Sequence, residues 1–237
     1  MIEHIAFIMD GNRRYSKKNF MSIKEGYMKG MEKFLEIVSF QIKYNIYETS
    51  FFALSKENYE KRSEEEKNTL FDLINFFSEN KNIKNFFEEN KIKIELKGDI
   101  EKLRKKELVV KKLLNELNKW NQTNLEYKFK VNLCLNYNGQ DEILHSFKTI
   151  LKKINLGEIK ENSITTQTIK KNLWFNENVE PQIIVRTGDA PRISGFMLWD
   201  SNYSEIYFMK KLWPEFEESD FTQILDWYKN IKRNFGK

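Results

Sequence analysis

HIAFIMDGNRR, residues 4–14, is the stretch that decides the fold class of this chain. An apolar run from His4 to Met9 passes directly into Asp10, Gly11 and Asn12, which predicts a buried strand followed by a tight loop. A strand without alternating polar residues is typical of a parallel sheet that is covered on both faces. The polar residues after Met9 are therefore expected at the carboxyl end of such a strand.

The same pattern recurs along the rest of the chain, where short apolar runs alternate with segments of helical periodicity. The predicted strands cover residues 4–9, 49–54, 91–96, 127–135, 182–185 and 205–208. The predicted helices cover residues 24–44, 64–89, 101–120, 141–154 and 217–233. Because strands separated by helices form parallel sheets, the sequence predicts one α/β domain over residues 1–237, with a central, mainly parallel sheet covered by helices.

Composition limits the class of protein. The 237 residues are 40% hydrophobic and 32% charged, which is sufficient for a globular core. The net charge of +5 is spread along the chain and is compatible with nucleic acid, an anionic membrane or a phosphorylated substrate. A single cysteine, Cys134, excludes an intramolecular disulfide and a cysteine-based zinc site. No secretory signal or membrane-length apolar run occurs, so we expect a cytoplasmic protein, with peripheral membrane contact left open.

Polar clusters follow several of the predicted strands at the point where each strand ends. They come after Met9, Leu54, Leu135 and Val185. Ligands of open parallel sheets bind beyond the carboxyl ends of the strands. We therefore expect these four clusters to meet around one ligand site.

The first cluster, Asp10 to Arg14, combines a carboxylate with two guanidinium groups at a glycine turn. Arginine forks match phosphate oxygens, and a carboxylate can share a divalent cation with a diphosphate. A polar turn with surface arginines is an equally good interpretation of this cluster alone. The chain has neither a Walker loop nor a GxGxxG motif, which argues against the common nucleotide-binding folds.

A second basic cluster lies in the segment RTGDAPRISG, residues 186–195. Arg186 and Arg192, with Ser194 nearby, are again suited to a phosphate group. Two anion sites in one domain predict two substrates, each of which carries a diphosphate. Glu205, just before an apolar strand, is either a surface residue or a metal ligand.

Two further features allow a functional and a purely structural interpretation. Ser55 and Asn58, at the end of a strand, suit either proton transfer or helix capping. The apolar residues of several segments suit either a core or a tunnel for a hydrocarbon tail. They are Phe51, Phe52, Leu73, Phe76, Phe77 and Phe129.

Four segments, in this order, resemble the cis-prenyltransferases, the family of undecaprenyl diphosphate synthase. They are HIAFIMDGNRR, FALSKENYEKR, NLCLNYNGQDEI and IIVRTGDAPRISGFMLWDSNYSEIYFMKKLWPEF, and the resemblance extends over residues 4–236. It implies an α/β fold with a hydrophobic tunnel, a homodimer and a dependence on Mg²⁺. It also implies two substrates, isopentenyl diphosphate and an allylic diphosphate such as farnesyl or geranylgeranyl diphosphate, and a Z-polyprenyl diphosphate as product.

The resemblance implies that the first motif holds the allylic diphosphate. Asp10 would bind Mg²⁺ and promote departure of the diphosphate, while Gly11, Asn12, Arg13 and Arg14 would surround it.

The resemblance also implies roles for later segments. Arg186, Arg192 and Ser194 would bind the diphosphate of isopentenyl diphosphate, and Glu205 would be a second magnesium-associated carboxylate. The other implied site residues come from the early part of the chain. Ser55 and Asn58 would act in catalysis and proton handling, Tyr15 and Tyr59 would pack near the allylic chain, and Lys61 would help to bind substrate.

Three alternatives to this function remain. Asp189, Ala190 and Pro191 replace the Gly-Glu-His common in the family, which leaves open a related prenyl transfer to a different acceptor. A non-catalytic partner subunit is disfavoured, because such subunits lose the first acid and the Arg-Thr-Gly motif, and because the ending RNFG, residues 233–236, resembles that of active members. A nucleic-acid-binding protein is suggested only by the pI of about 9.0, since no binding motif is present.

Overall fold

The computed structural model describes residues 2–123 and 126–231, so the ending at residues 233–236 lies outside the described residues. The strands are β1 (His4–Ile8), β2 (Glu48–Ser55), β3 (Ile92–Lys97), β4 (Phe129–Tyr137), β5 (Ile183–Arg186) and β6 (Glu205–Phe208). The helices are α1 (Asn12–Lys18), α2 (Ile23–Lys43), α3 (Lys56–Lys61), α4 (Glu64–Glu79), α5 (Lys81–Glu89), α6 (Ile100–Lys106), α7 (Leu108–Thr123), α8 (Gly139–Asn155), α9 (Thr166–Lys170) and α10 (Glu218–Asn230). Short 3₁₀ turns occur at Glu161–Ser163 and Trp213–Glu215.

The strands form one six-stranded sheet in the order β3-β4-β2-β1-β5-β6. Every strand pairing in the described chain is parallel, and Phe7 of β1 lies opposite both Phe51 of β2 and Val185 of β5. All residues of β1 and β5 are buried, whereas exposed residues alternate along the edge strand β6. The predicted α/β class with a parallel sheet is therefore confirmed.

Two of the predicted helices are each interrupted in the structure. The segment predicted as one helix over residues 64–89 breaks at Asn80, whose side chain accepts hydrogen bonds from the backbone amides of Asn82 and Ile83 and so starts a new helix. The segment over residues 101–120 breaks at Glu107, which has an extended backbone. The apolar periodicity continues across both breaks, so the sequence pattern does not indicate them.

Aromatic residues fill the core on one side of the sheet. The ring of Phe51 lies 5.4 Å from that of Phe7 and 4.7 Å from that of Phe34. The indole of Trp213 packs against Phe7 and donates a hydrogen bond to the Gly30 carbonyl of α2, at 2.8 Å. Trp213 thereby fixes the segment after β6 against α2, directly behind the loop that follows β1.

None of the helices in the described ranges combines the length and the apolar character that crossing a bilayer would require.

Candidate active site

The loop after β1 is held in place through the backbone carbonyl of Asp10. The Asp10 carbonyl accepts hydrogen bonds from the Trp213 amide at 3.0 Å and from the Thr187 hydroxyl at 2.7 Å. Gly11 follows with φ of +118°, and a β-carbon there would come within 2.9 Å of Leu212. Glycine is therefore required at this turn, because it alone combines the positive φ with the close approach. The turn directs α1, and with it Arg13 and Arg14, across the end of the sheet.

The Asp10 carboxylate lies between two arginines that come from distant parts of the chain. Its Oδ1 is 3.1 Å from Nη2 of Arg14, and its Oδ2 is 3.0 Å from Nη2 of Arg186. Nη1 of Arg186 also donates to the Arg192 carbonyl at 2.6 Å and to the Ser194 hydroxyl at 2.7 Å. Arg186 is the shared centre of the first and second clusters, which the sequence separates by about 170 residues.

Ser55 ends β2 and caps α3. Its hydroxyl accepts a hydrogen bond from the Asn58 amide at 3.1 Å, which is the capping role considered above. The cap turns α3 so that Asn58 and Lys61 line the same cavity as Asp10. Glu57 accepts a hydrogen bond from the Asn138 side chain, which joins the ends of β2 and β4.

A cavity of about 1330 Å³ extends from these polar clusters into the molecule. Its deeper walls are apolar and come from β2, α2, α4, α7 and β4. They include Phe34, Phe52, Ala53, Leu70, Leu73, Ile74, Phe77, Leu113 and Leu133. Phe77 in turn contacts Phe87 and Trp120, with ring centroids 5.9 and 5.8 Å apart. The expected apolar tunnel is present as a cavity, next to an aromatic cluster of Phe77, Phe87 and Trp120.

Three of the six candidate tunnel residues lie elsewhere. Phe51 and Phe129 are buried but do not line the cavity, and Phe76 is 43% exposed. The reason for Phe76 is helical geometry: the cavity face of α4 runs through Leu70, Leu73, Ile74 and Phe77, so residue 76 points away from it. The interpretation of Phe76 as a core or tunnel residue was wrong.

Most of the predicted site residues come together at the mouth of the cavity. They are Asp10, Gly11, Asn12, Arg13, Arg14, Ser55, Asn58, Lys61, Arg186, Arg192 and Ser194. Three do not line it, namely Tyr15, Tyr59 and Glu205. The Tyr59 hydroxyl instead donates to Glu107 at 2.7 Å. Glu205 starts β6 opposite Ile183, at the amino end of the sheet, whereas Asp10 follows the carboxyl end of β1. Within a single chain, Glu205 therefore lies at the opposite end of the sheet from Asp10. Its metal role remains a prediction.

Further polar residues of the cavity lining were not predicted as site residues, among them Lys17, Tyr27, Arg62 and Glu66. Glu66 of α4 lies 3.3 Å from Nη1 of Arg13. The Arg62 guanidinium lies 5.6 Å from the centre of the Tyr27 ring. Burial raises the pKa of Tyr27, and the charge of Glu66 adds to this, against the opposing effect of Arg62 and Arg13. Lys17 could have been predicted from the sequence, because it follows Arg13 by four residues on one helix face. Glu66 could not have been predicted, because only the packing of α4 brings it to the mouth of the cavity.

Unsatisfied polar atoms mark this cavity as a ligand site. Among the described residues, four buried side-chain atoms of the cavity lining have no hydrogen-bond partner: Asn12 Oδ1, Tyr27 OH, Arg62 Nη1 and Arg186 Nε. Each costs about 1–3 kcal/mol when left unpaired. The lining also contains seven cationic side chains against the three acids Asp10, Glu57 and Glu66. A polar, multiply anionic ligand would satisfy the donors and balance the charge.

Asp10 suits a magnesium ion that is shared with such a ligand. In the ranges 2–123 and 126–231, no group of three or more His, Cys, Asp or Glu side chains could hold a metal ion alone. Mg²⁺ commonly binds through one or two carboxylates, with substrate phosphates and water completing its shell. The Asp10 carboxylate, at a cationic mouth, fits this arrangement.

Comparison with known proteins identifies the family. The family model described as putative undecaprenyl diphosphate synthase matches residues 8–236. The chain is 37% identical to the geranylgeranyl-diphosphate-specific tritrans,polycis-undecaprenyl-diphosphate synthase of Picrophilus torridus, over 99% of this chain and 89% of that protein. It is 35% identical to an isoprenyl transferase of Prochlorococcus marinus, over 99% of this chain and 83% of that protein.

Two solved structures share the fold over the whole chain. Lavandulyl diphosphate synthase from Lavandula x intermedia, solved with dimethylallyl diphosphate, has a TM-score of 0.90 and 25% identity, covering 100% of this chain and 98% of its own. A probable undecaprenyl diphosphate synthase from Campylobacter jejuni has a TM-score of 0.78 and 26% identity, covering 100% of this chain and 99% of its own. This chain is therefore a member of the cis-prenyltransferase family, a prenyl-transferring enzyme of the polyprenyl diphosphate synthase class.

Proposed function

We propose that the two diphosphates of the prenyl-transfer reaction lie side by side at the mouth of the cavity. The reaction itself, condensation of isopentenyl diphosphate onto an allylic diphosphate to give a Z-polyprenyl diphosphate, is that of the family. The observation that carries the proposal is the position of Arg186, which contacts Asp10 on one side and Ser194 and the Arg192 carbonyl on the other. One guanidinium thus touches both predicted anion sites.

The allylic diphosphate belongs to the side of Asp10, Arg13 and Arg14. Breaking the allylic carbon–oxygen bond places negative charge on the departing diphosphate and positive charge on the allyl fragment. Arginines that are already oriented towards the mouth stabilise the departing anion, and they do so more strongly where water is excluded. Both guanidinium groups are now paired with acids, Arg13 with Glu66 and Arg14 with Asp10, so the diphosphate competes for them.

Isopentenyl diphosphate belongs to the side of Arg186, Arg192 and Ser194. The Nε of Arg186 is buried without a partner and is available to one of its phosphate oxygens. Held there, the isopentenyl double bond attacks the allylic carbon, and loss of a proton leaves the new cis double bond. Ser55 and Asn58, across the mouth, are proposed to handle that proton. Fixing both substrates in one register supplies the orientation that free solution lacks.

Magnesium is proposed as the cofactor, held by Asp10 together with the substrate phosphates. When bound, it neutralises charge on the diphosphate and so assists its departure. The chain supplies the rest of the stabilisation through the arginines around the mouth.

The apolar depth of the cavity is proposed to receive the growing chain. Each methylene group that leaves water contributes about 0.8 kcal/mol, so elongation is favoured as long as wall remains to be covered. The primers proposed are farnesyl or geranylgeranyl diphosphate. The aromatic cluster of Phe77, Phe87 and Trp120 is proposed to limit product length.

A homodimer is proposed from the exposed apolar residues of β6 and α8. The edge strand exposes Ile206 and Phe208, and α8 exposes Leu144, Phe147 and Leu151 at helical spacing. Exposed apolar residues of this kind are typical of interaction surfaces, and two-fold symmetry is the commonest way to cover one. Glu205 lies on the same edge strand, so its proposed metal role depends on this assembly.

The proposed product is a lipid, and we therefore propose peripheral membrane contact for an otherwise cytoplasmic enzyme.

The test of function is incubation of the purified protein with labelled isopentenyl diphosphate, Mg²⁺ and either farnesyl or geranylgeranyl diphosphate, with chain-length analysis of the products. Magnesium-dependent Z-polyprenyl diphosphates are expected. Absence of incorporation with every allylic primer would contradict the proposal.

A different acceptor is the second candidate, favoured by the similarity to lavandulyl diphosphate synthase. In this chain Asp189 has a positive φ of 56°, and the Arg192 amide bonds the Ala190 carbonyl, so the replaced residues form a tight turn beside Arg192. Incubation with dimethylallyl diphosphate alone separates the two functions. A condensed product without isopentenyl diphosphate would support the second.

A further inference from the structure

Phe20, in the loop after α1, is the most exposed large apolar residue in the described chain. Its exposure is 100%, and its backbone has a positive φ of 55°. L-residues with a large side chain rarely adopt this conformation, since the β-carbon crowds the backbone. The exposure of the Phe20 ring and the conformation of its backbone are thus both energetically unfavourable for an isolated molecule in water.

The local hydrogen bonds explain why the backbone must turn there. The Met21 amide bonds the Ser16 carbonyl at 2.9 Å, and the Phe20 amide bonds the Lys17 carbonyl at 3.4 Å. This pair of bonds is the Schellman motif that ends a helix, and Phe20 occupies the position where glycine is preferred. Glycine is therefore the residue that suits position 20, and among the described residues no packing contact stabilises the fully exposed phenyl ring.

The segment of sequence around Phe20 is rich in cationic residues. Residues 11–24 contain Arg13, Arg14, Lys17, Lys18 and Lys24 and no acidic residue. The lysines on either side of the tip are mostly exposed, and the acids that pair with Lys18 and Lys24, Glu215 and Asp72, come from other parts of the chain.

This tip lies beside the mouth of the cavity. Lys17, which lines the cavity, precedes Phe20 by one helical turn. A surface that received the ring of Phe20 would therefore also lie close to the entrance used by the substrates.

We propose that residues 17–24 form a membrane-docking tip, in which Phe20 inserts into an anionic lipid surface and the lysines contact its headgroups. An aromatic ring with lysines around it suits the boundary between headgroups and acyl chains. A protein interface would need a far larger apolar area than this tip exposes. The biological reason rests on the proposed function: both the allylic substrate and the product are amphiphiles that collect at such a surface.

The first test is co-flotation of the whole protein with vesicles made of equal parts phosphatidylglycerol and phosphatidylcholine. The wild type should bind, and added salt should weaken the binding. Phe20→Gly should reduce the partition coefficient on the order of tenfold or more, because burial of a phenyl ring is lost. Its thermal stability should not fall, since glycine suits the backbone at residue 20. Leu156→Ser is the matched control, because Leu156 is 63% exposed outside the tip and should not affect binding.

The second test reports insertion directly. A Phe20→Trp variant should be quenched by vesicles whose acyl chains carry bromine, beyond the signal of the native tryptophans, whereas Leu156→Trp should not. Equal vesicle binding by wild type and Phe20→Gly, or equal quenching of the two tryptophan variants, would overturn the proposal. A change of molecular mass in lipid-free buffer on Phe20→Gly would assign the ring to a protein interface and would also overturn it.

These outcomes are separate from those of the reaction. In lipid-free buffer with farnesyl diphosphate as primer, Phe20→Gly should turn over at the wild-type rate, because Phe20 does not line the cavity. Vesicle binding by a wild-type chain without turnover would overturn the proposed reaction and support the docking tip.

Discussion

The guanidinium of Arg186 lies 3.0 Å from the carboxylate of Asp10, although β5 and β1 bring these residues from opposite ends of the chain. Arg186 is nearly buried, and its remaining contacts are the Arg192 carbonyl and the Ser194 hydroxyl. The pair therefore orders both predicted diphosphate sites before any substrate arrives. A preorganised charge pair of this kind needs little rearrangement during reaction, which is the condition for electrostatic catalysis.

Asp10→Ala is expected to lower turnover by about a thousandfold or more, because the carboxylate that would hold Mg²⁺ is lost. The fold should survive, since the side chain of Asp10 is 32% exposed and its backbone contacts remain. Steady-state rates and circular dichroism of the purified variant provide the measurement. Asp226→Ala removes an exposed ion-paired carboxylate on α10 and should change neither. Near-normal turnover of Asp10→Ala would refute the assignment.

Arg186→Ala is expected chiefly to raise KM for isopentenyl diphosphate, by about tenfold to a hundredfold, because a charge-assisted contact is lost. Initial rates at varied isopentenyl diphosphate, and separately at varied primer, measure the effect. Arg104→Ala, which breaks an exposed pair with Glu101, is the control. An effect confined to the allylic primer would mean that the two diphosphate sites are reversed.

Phe77→Ala is expected to lengthen the product by at least one isoprene unit, because it opens the cavity towards Phe87 and Trp120. It should also lower the free energy of unfolding by about 3–5 kcal/mol, as is typical for loss of a buried phenyl ring. Phe76→Ala, next to it on α4 but 43% exposed and outside the cavity lining, should do neither. Chain-length analysis and denaturant titration measure both effects. An unchanged product length in a folded Phe77→Ala enzyme would exclude this wall as the limit.

Glu142 is expected to make stability depend on pH. Burial raises the pKa of its carboxyl to about 7, against hydrogen bonds from the Tyr137 hydroxyl and the Phe175 amide. Between the ordinary value of 4.5 and about 7 the folded chain binds more protons than the unfolded chain, so the free energy of unfolding falls as pH rises through this window. Relative to Glu142→Gln, the wild type should lose about 2–3 kcal/mol between pH 5 and pH 8.

Denaturant titrations of both proteins across that range measure the difference. The control is Glu158→Gln, which removes an exposed carboxyl shortly after the end of α8, the helix that contains Glu142. Its unfolding free energy should follow that of the wild type across the pH range. Parallel curves for wild type and Glu142→Gln would show that Glu142 titrates normally.

The sequence alone determined the class of fold and most of the residues that line the candidate site. Apolar runs that end in Asp10, Ser55, Asn138 and Arg186 predict parallel strands, and parallel strands place their carboxyl ends at one edge. The convergence of these residues is therefore a consequence of topology and needs no knowledge of packing. The motifs around these residues were also sufficient to identify the family, which the comparisons confirm.

Only the tertiary structure decided which faces meet across the cavity. Glu66 reaches Arg13 because α4 packs over the mouth, and the break at Asn80 that separates α4 from α5 does not interrupt the apolar pattern. Phe76 and Phe77 are adjacent in sequence and equally apolar, yet one is exposed and the other lines the cavity, because successive residues on a helix point about 100° apart. Local pattern specifies strands and turns through short-range sterics, whereas the shape of a cavity depends on contacts between residues far apart in the chain.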